Sequence, residues 1–201
     1  MTVIQNVNIE KLEGFRTFLK ENPEKARLKL EARAIYEGQV GRSTVHIGPY
    51  QLDDSNVDRE TRHYTIPFGA WREVEELMGV EGPTDRMEPV EMALAATASC
   101  VVNSISLNTG RLGIKVDSLE VSVRSTVDPR VLFAINGPED YGSCIKAIDY
   151  DVKVKGDISD DEMNTIKQLC EHSPVYIMMA SQITMTANVE HISTNAEPHL
   201  N

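Results

Sequence analysis

The fold is decided by one stretch, Glu88-Pro89-Val90-Glu91-Met92-Ala93-Leu94-Ala95-Ala96-Thr97-Ala98-Ser99-Cys100, which continues to Gly110 and carries no charge between Met92 and Thr109. Proline suits the first position of a helix, a carboxylate in the first turn favours the helix dipole, and glycine ends many helices. We therefore predict a helix that starts at Pro89 and stops at Gly110. Apolar residues occur on all its sides, which predicts a helix buried on nearly every side.

A membrane span is the alternative interpretation of this helix. Its small, Ala-rich face and its polar side chains argue against a span. The chain also does not open with a basic segment followed by an apolar one, so we expect no signal peptide. The polar side chains are Thr97, Ser99, Asn103, Ser104, Ser106, Asn108 and Thr109.

Antiparallel strands and shorter helices are predicted on both sides of the central helix. Apolar residues at every second position indicate half-buried strands at 28–36, 43–47, 119–127, 148–155 and 183–189. Helical spacing and cap residues predict further helices. They are a first helix capped by Asn8, a short one at 70–78, one opened by a Ser159–Glu162 capping box, and one capped by Ser173.

The chain divides by pattern into three parts. We predict an N-terminal helical extension at 1–27, one domain at 28–191 and a polar tail at 192–201. Within the domain, residues 49–87 are broken repeatedly by glycine, proline and aspartate. This segment is either a lid or binding loop, or a plain surface excursion.

Composition excludes several function classes. The net charge of the 201 residues is −11, without a basic patch, so nucleic acid and anionic membranes are poor partners. Three cysteines without a signal peptide indicate a reducing, cytoplasmic location. Cys170 and His172 are two residues apart on a helix and do not share a face, so no metal site is expected. Glycine-rich phosphate motifs are absent, and we expect no cofactor.

Cys100 lies midway along the central helix, where a cysteine is most often inert packing. Three motifs nevertheless occur together in order: Pro89-x-Glu91-(x8)-Cys100, then Gly113-Ile114 before a strand, then Ser173-Pro174-Val175. This ordered set resembles the OsmC/Ohr family, the osmotically induced and organic hydroperoxide resistance proteins. The resemblance covers roughly residues 28–189 and is closer to the branch that carries Ser-Pro-Val.

The resemblance implies an α+β fold in which antiparallel sheets pack on two long helices of an intertwined homodimer, with two sites at the interface. It also implies a reactive thiolate at Cys100 that attacks a small organic hydroperoxide and becomes a sulfenic acid. Cys100 is too far from its helix N-terminus for the dipole to stabilise a thiolate. Arg42, in Gly41-Arg42, stands where the family has its activating arginine.

Two departures from the peroxidase pattern leave the activity open. Ser173 replaces the resolving cysteine; Cys170 is one helical turn earlier and would have to substitute, or an external thiol would act instead. Glu91 lies one residue after the position of the carboxylate that supports the arginine, a rotation of about 100°. The alternative to a thiol peroxidase is a non-catalytic dimer that binds a small apolar ligand at the subunit interface.

Overall fold

The structure is a computed structural model of one chain, and it describes residues 2–135 and 137–191. It contains strands and helices in mixed order, and its sheets are antiparallel, so the predicted α+β class is confirmed. The elements are β1 (Val3–Ile4), β2 (Val7–Asn8), α1 (Ile9–Glu21), β3 (Leu28–Tyr36), β4 (Ser43–Leu52), β5 (Ser55–Val57), β6 (Tyr64–Phe68), α2 (Arg72–Leu77), α3 (Pro89–Leu112), β7 (Ser118–Val127), β8 (Ile145–Lys155), α4 (Asp160–Leu169) and α5 (Pro174–Ala180).

The N-terminal segment is a small hairpin followed by a helix. β1 and β2 are joined by Gln5 and Asn6, both with positive φ, the conformation that a two-residue hairpin turn requires. The Asn8 side chain then accepts a hydrogen bond from the Lys11 N–H at 2.9 Å, which confirms the predicted start of α1. The hairpin was not predicted, because strands of two residues are too short to show alternation.

A sheet of β3, β4, β5 and β6 follows, with β4 in the centre. The bounds of β3 match the prediction, but its half-burial does not, since all nine residues of β3 are exposed. Ala32, Ala34, Val45, Ile47 and Ile66 lie on one face of the sheet by register. No other element of the described chain contributes a layer over this face, so the alternation of β3 has no core to point into.

The central helix α3 begins at Pro89 as predicted, but it does not end at Gly110. It continues to Leu112, and Gly113 takes the left-handed conformation, with φ 78°, that closes the last turn. The predicted burial on nearly every side is also wrong for a single chain. One face is buried, through Thr97, Val101, Ile105, Thr109 and Gly110, whereas the opposite face is open and Leu107 is half exposed.

By length and hydropathy alone, α3 is the one helix of the described chain that would suffice to cross a membrane. Its buried face instead packs on β7 and on the α4–α5 segment. There Val101 and Ile105 form the core with Ile114, Ile166 and Leu169. All members of this core cluster come from residues 101–176, and none comes from β3–β6. The N-terminal sheet and the core are therefore two separate layers within one chain.

The predicted capping box opens α4. The Ser159 hydroxyl oxygen accepts from the Glu162 N–H at 3.4 Å, and the Glu162 carboxylate accepts from the Ser159 N–H at 2.8 Å. The predicted strand at 183–189, by contrast, is absent from the structure, and Met185 and Val189 are 94% and 95% exposed. A strand needs a hydrogen-bonded neighbour about 4.8 Å away, and no strand of the described chain pairs with this segment. The predicted tail at 192–201 lies outside the described residues.

Candidate functional site around Cys100

Cys100 sits half-buried on α3, one residue before the fully buried Val101. One turn further on, the Ser104 hydroxyl donates to the Leu169 carbonyl oxygen at 3.1 Å and fastens α3 to the end of α4. Residues four apart on a helix are neighbours, so Cys100 lies next to this junction of α3 with the α4–α5 segment. The thiol is thus on a rigid element at the edge of the core.

Cys170 lies in the short turn between α4 and α5 and is buried in the core. Its Sγ donates to the Ile166 carbonyl oxygen at 3.4 Å, and burial raises the pKa of its thiol. Disulfide exchange proceeds through the thiolate of the attacking cysteine. The environment of Cys170 therefore disfavours the resolving role, and the described chain holds its three cysteines as free thiols.

Ser173 is completely buried at the start of α5. Its Oγ accepts a hydrogen bond from the Tyr176 N–H at 3.1 Å, and Pro174 occupies the first helical position. This geometry confirms the predicted helix cap. The residue that replaces the family's resolving cysteine thus has a structural role of its own.

We expect Ser173→Ala to lower the free energy of unfolding by about 1 kcal/mol, because the Tyr176 N–H loses its acceptor. Urea denaturation measures this loss, with the exposed Ser181→Ala as the control. Any rate of hydroperoxide reduction should stay nearly unchanged in Ser173→Ala. A large rate loss at unchanged stability would show that the serine takes part in the chemistry.

Arg42 does not lie beside α3 but at the start of β4, in a buried ion pair with Glu75 of α2. Its Nε and Nη2 donate to the two carboxylate oxygens at 2.9 and 2.6 Å, a bidentate contact. Nη1 donates to Gln39 Oε1 at 2.8 Å and Nη2 also donates to the Gly82 carbonyl oxygen at 3.1 Å. The guanidinium is 9% exposed and Glu75 1%, so the pair is both buried and oriented.

Glu75 is the functional candidate that sequence reasoning missed. Besides Arg42, it accepts a hydrogen bond from the Thr84 N–H at 2.7 Å. The hydrogen bonds from Arg42, and then from Thr84, lower the pKa of Glu75 to about 2. The charged residues around Glu75 are typical of an exposed helix. Glu75 is buried only because residues 79–84 fold over α2.

Glu91, the supporting carboxylate considered from the sequence, is occupied elsewhere. It accepts a hydrogen bond from the Glu88 N–H at 2.9 Å, while Glu88 accepts one from the Val90 N–H at 2.6 Å. The two glutamates form the capping box of α3. The carboxylate that orients Arg42 in this chain is therefore Glu75.

The predicted pair of Cys100 and Arg42 is not assembled within one chain. Among the described residues, the hydrogen-bond partners of Arg42 are Gln39, Glu75 and Gly82. Cys100 belongs to the layer that is built on α3. The sheet that carries Arg42 contributes no residue to the core of that layer. One chain thus holds an oriented cation and a half-buried thiol in separate layers.

A cavity of 640 Å³ lies away from Cys100, at the end of the β7–β8 hairpin. Cys144 lines it and donates to the Asp128 carbonyl oxygen at 3.3 Å. Within residues 2–135 and 137–191, no group of three His, Cys, Asp or Glu side chains could hold a metal ion.

The fold and these residues define an OsmC-type protein. The chain belongs to the OsmC-like protein family, whose family model matches residues 82–188. The match includes α3 with Cys100 and the α4–α5 segment with Ser173, but not the N-terminal sheet. None of the curated proteins matches the sequence.

Solved structures resemble the chain at low sequence identity. An OsmC-like protein from Mycoplasma pneumoniae has a TM-score of 0.51 at 14% identity, over 76% of this chain and 87% of that one. An osmotic-stress-induced and detoxification-response protein from Psychrobacter arcticus has a TM-score of 0.47 at 12% identity, over 73% and 85%. The organic hydroperoxide resistance protein OsmC from Legionella pneumophila has a TM-score of 0.39 at 15% identity, over 75% and 88%. The Mycoplasma structure supports the fold.

Proposed function

We propose that this protein is a cytoplasmic, thiol-dependent reductase of organic hydroperoxides that works as a homodimer, with Cys100 as the reactive thiol. The observation that carries this proposal is the buried, bidentate Arg42–Glu75 pair. With the described residues, Arg42 makes four hydrogen bonds, and a guanidinium has five N–H donors. One N–H is left for a further acceptor, such as a thiolate or a peroxide oxygen.

The dimer proposal follows from surface area. One chain exposes 15,495 Å², whereas a folded monomer of its mass exposes about 9,400 Å². The excess of about 6,000 Å² per chain is about 12,000 Å² for two chains, which is more than the roughly 2,000–5,000 Å² that obligate interfaces commonly bury in total. A single chain is thus far more open than a stable monomer.

Two surfaces are open in one chain and suit each other. The first is the uncovered face of the β3–β4–β6 sheet, with Val45, Ile47 and Ile66; the second is the open face of α3, with Ala96 and Leu107. Both are apolar, and stacking a sheet on a helix layer is how such faces are buried. If the sheet of one protomer covers α3 of its partner, Arg42 of one chain approaches Cys100 of the other.

We expect sedimentation at micromolar concentration to give about twice the chain mass of 22.4 kDa. The reason is that the apolar sheet face and the open face of α3 each require a covering layer. Val45→Asp places a carboxylate on the sheet face and should shift the equilibrium toward monomer. His46→Asp, on the opposite, exposed face of the same strand, is its control. A clean wild-type monomer would contradict the dimer.

The proposed reaction begins with the Cys100 thiolate. Its sulfur attacks one peroxide oxygen, the O–O bond breaks, and the alkoxide leaves as an alcohol after taking a proton. The cysteine becomes a sulfenic acid. An external thiol then forms a mixed disulfide and releases water, and a second thiol restores the cysteine and leaves as a disulfide. Ser173 has no thiol and Cys170 is buried in the core, so an external thiol acts as the resolving group.

Mass spectrometry after one equivalent of an alkyl hydroperoxide tests the proposal, with dimedone present to trap sulfenic acid. Cys100 should be the first of the three cysteines to oxidise and should carry the dimedone adduct, and Cys144→Ser should change nothing. In a separate sample with excess hydroperoxide and neither dimedone nor external thiol, a second peroxide molecule should oxidise the Cys100 sulfenic acid to sulfinic acid and leave as a second alcohol. If Cys144 or Cys170 oxidises first while Cys100 stays reduced, the alternative is favoured, a dimer that binds a small apolar ligand without catalysis.

A further inference from the structure

We propose that Arg86 is a positioning residue, which holds Arg42 in place by joining the two backbone segments that orient it. The inference rests on the proposed function, in which Arg42 is the activating cation of Cys100. Arg86 belongs to segment 80–87, which connects α2 to the start of α3. Its effect on Cys100 is therefore indirect and passes through Arg42.

The first of the two segments, segment 80–87, closes over the Arg42–Glu75 pair. Its Gly82 carbonyl oxygen accepts a hydrogen bond from Arg42 Nη2 at 3.1 Å. Its Thr84 N–H donates to Glu75 Oε2 at 2.7 Å. Both contacts are made by backbone groups, so they persist only while the segment keeps its position over the pair.

The second segment is the turn between β3 and β4, at 37–42. Gln39 Oε1 in this turn accepts from Arg42 Nη1 at 2.8 Å, and the Arg42 N–H donates to the Gln39 carbonyl oxygen at 3.1 Å. The Thr44 hydroxyl donates to the Glu37 carboxylate. Glu37 thereby fastens the start of the turn to β4, and the turn in turn fixes the backbone of Arg42.

Arg86 joins the two segments through its guanidinium. Nη1 donates to Glu37 Oε1 at 2.9 Å and, more weakly, to the Phe68 carbonyl oxygen at 3.4 Å. The side chains of Arg86 and Glu37 are only 19% and 27% exposed. The hydrogen bond from Arg86 also lowers the pKa of Glu37, so the pair is ionised at neutral pH. Such a charge-assisted contact fixes the turn relative to segment 80–87.

The aliphatic stem of Arg86 is held as closely as its guanidinium. A Cβ added at Gly69 would lie 2.8 Å from Arg86 Cδ and 3.0 Å from Arg86 Cβ, so glycine is required for this approach. The Arg86 N–H donates to the Ala70 carbonyl oxygen at 3.2 Å, and the Gly69 N–H donates to the Met87 carbonyl oxygen at 3.1 Å. Arg86 is thus a fixed link and differs from a loose surface ion pair.

Stopped-flow oxidation of Cys100 by an alkyl hydroperoxide at pH 7 tests the inference. Arg86→Ala should slow it about 3-fold, which corresponds to the coupling of a partly exposed ion pair. Arg86→Lys should restore part of the rate, because an ammonium still pairs with Glu37. Arg72→Ala, which removes an arginine of α2 that is 63% exposed, is the matched control and should oxidise like wild type.

The double variant Arg42→Ala/Arg86→Ala separates positioning from other effects. If Arg86 acts through Arg42, the double variant should be about 10-fold slower than wild type, like Arg42→Ala alone. A general structural defect, or a direct electrostatic effect of Arg86 on the thiol, would multiply the two losses to about 30-fold. Multiplied losses would overturn the inference.

Glu37→Ala is a second test, in which charge and position act in opposite directions. Loss of a carboxylate near Arg42 would by charge alone favour the Cys100 thiolate and speed its oxidation. We expect slower oxidation, because the turn is released from segment 80–87. A rate equal to or above that of wild type in Glu37→Ala contradicts the positioning role, even if Arg86→Ala fails to fold.

The pH profile of Cys100 alkylation by iodoacetamide separates this inference from the proposed function, because alkylation reports the thiolate without a peroxide. The midpoint pH should rise in Arg42→Ala, rise less in Arg86→Ala and stay unchanged in Arg72→Ala. If these shifts occur but wild-type Cys100 is not oxidised by hydroperoxide, the peroxidase fails and the positioning role holds. If Arg42→Ala alone moves the midpoint, the positioning role fails and the peroxidase stands; if neither variant moves it, both roles of arginine fail.

Discussion

Replacing Arg42 by alanine is expected to slow the oxidation of Cys100 by an organic hydroperoxide about 10-fold at pH 7. A cation within 4–6 Å of a thiol typically raises its thiolate fraction at neutral pH by about 10- to 1,000-fold. A thiolate that loses this cation becomes more basic and therefore more nucleophilic. On a logarithmic scale, the higher nucleophilicity offsets about half of the rate loss that the smaller thiolate fraction causes. A 100-fold smaller thiolate fraction thus gives a rate about 10-fold lower.

The pH profile separates this effect from simple misfolding. As pH rises past the point where the thiol of Arg42→Ala is fully ionised, its oxidation rate should reach and then exceed that of the wild type, because its thiolate is the more nucleophilic one. Stopped-flow measurement from pH 6 to pH 10 follows this crossing. Arg124→Ala is the control, because this exposed arginine pairs with Asp151 and lies on the β7–β8 hairpin. A rate ratio that stays the same at all pH values would contradict the role of Arg42 as activating cation.

Replacing Glu75 by glutamine is expected to lower the urea midpoint at pH 7 by about 1 M, because it leaves the buried Arg42 guanidinium without its counter-charge. The sign of the pH dependence follows from the pKa of Glu75, lowered to about 2 from an ordinary 4.5. Its contribution to stability is fully present above about pH 4.5 and is lost as pH falls toward 2. Wild type should lose stability in this window, whereas Glu75→Gln should be flatter there.

Urea titrations between pH 2 and pH 7 measure both effects. The matched control is Glu76→Gln, the next residue on α2, whose ion pair with Arg72 is half exposed and should contribute little. Oxidation of Cys100 should also slow in Glu75→Gln, because Arg42 is no longer held in place. Equal urea midpoints for Glu75→Gln and Glu76→Gln would show that the Arg42–Glu75 pair does not stabilise the chain.

Local sequence patterns were sufficient to predict those features that depend only on neighbouring residues. Asn8, Pro89 and Ser173 act at the helix starts predicted for them, since a cap needs only an acceptor side chain and the next N–H groups. The bounds of β3 and the capping box of α4 were predicted for the same reason. The family also follows from ordered local motifs, and the match over residues 82–188 confirms it.

Local sequence patterns did not predict the burial, pairing and helix end that depend on distant parts of the chain. Alternation in β3 and at 183–189 predicted half-buried strands, yet β3 is exposed on both faces and 183–189 pairs with no strand of the described chain. Gly110 was assigned as the stop of α3, but it lies under the hairpin at Gln5 while Gly113 closes the helix. In each case, what a segment packs against decides the outcome.

The sequence by itself determined the α+β class, the helix starts and the location of Cys100 on the central helix, because spacing and cap chemistry act over a few residues. Only the tertiary structure decided which carboxylate holds Arg42. Glu75 and Arg42 are 33 positions apart, and a charged residue is buried only when folding supplies its partner. Only the tertiary structure also separated the N-terminal sheet from the core, leaving open the faces of the sheet and of α3.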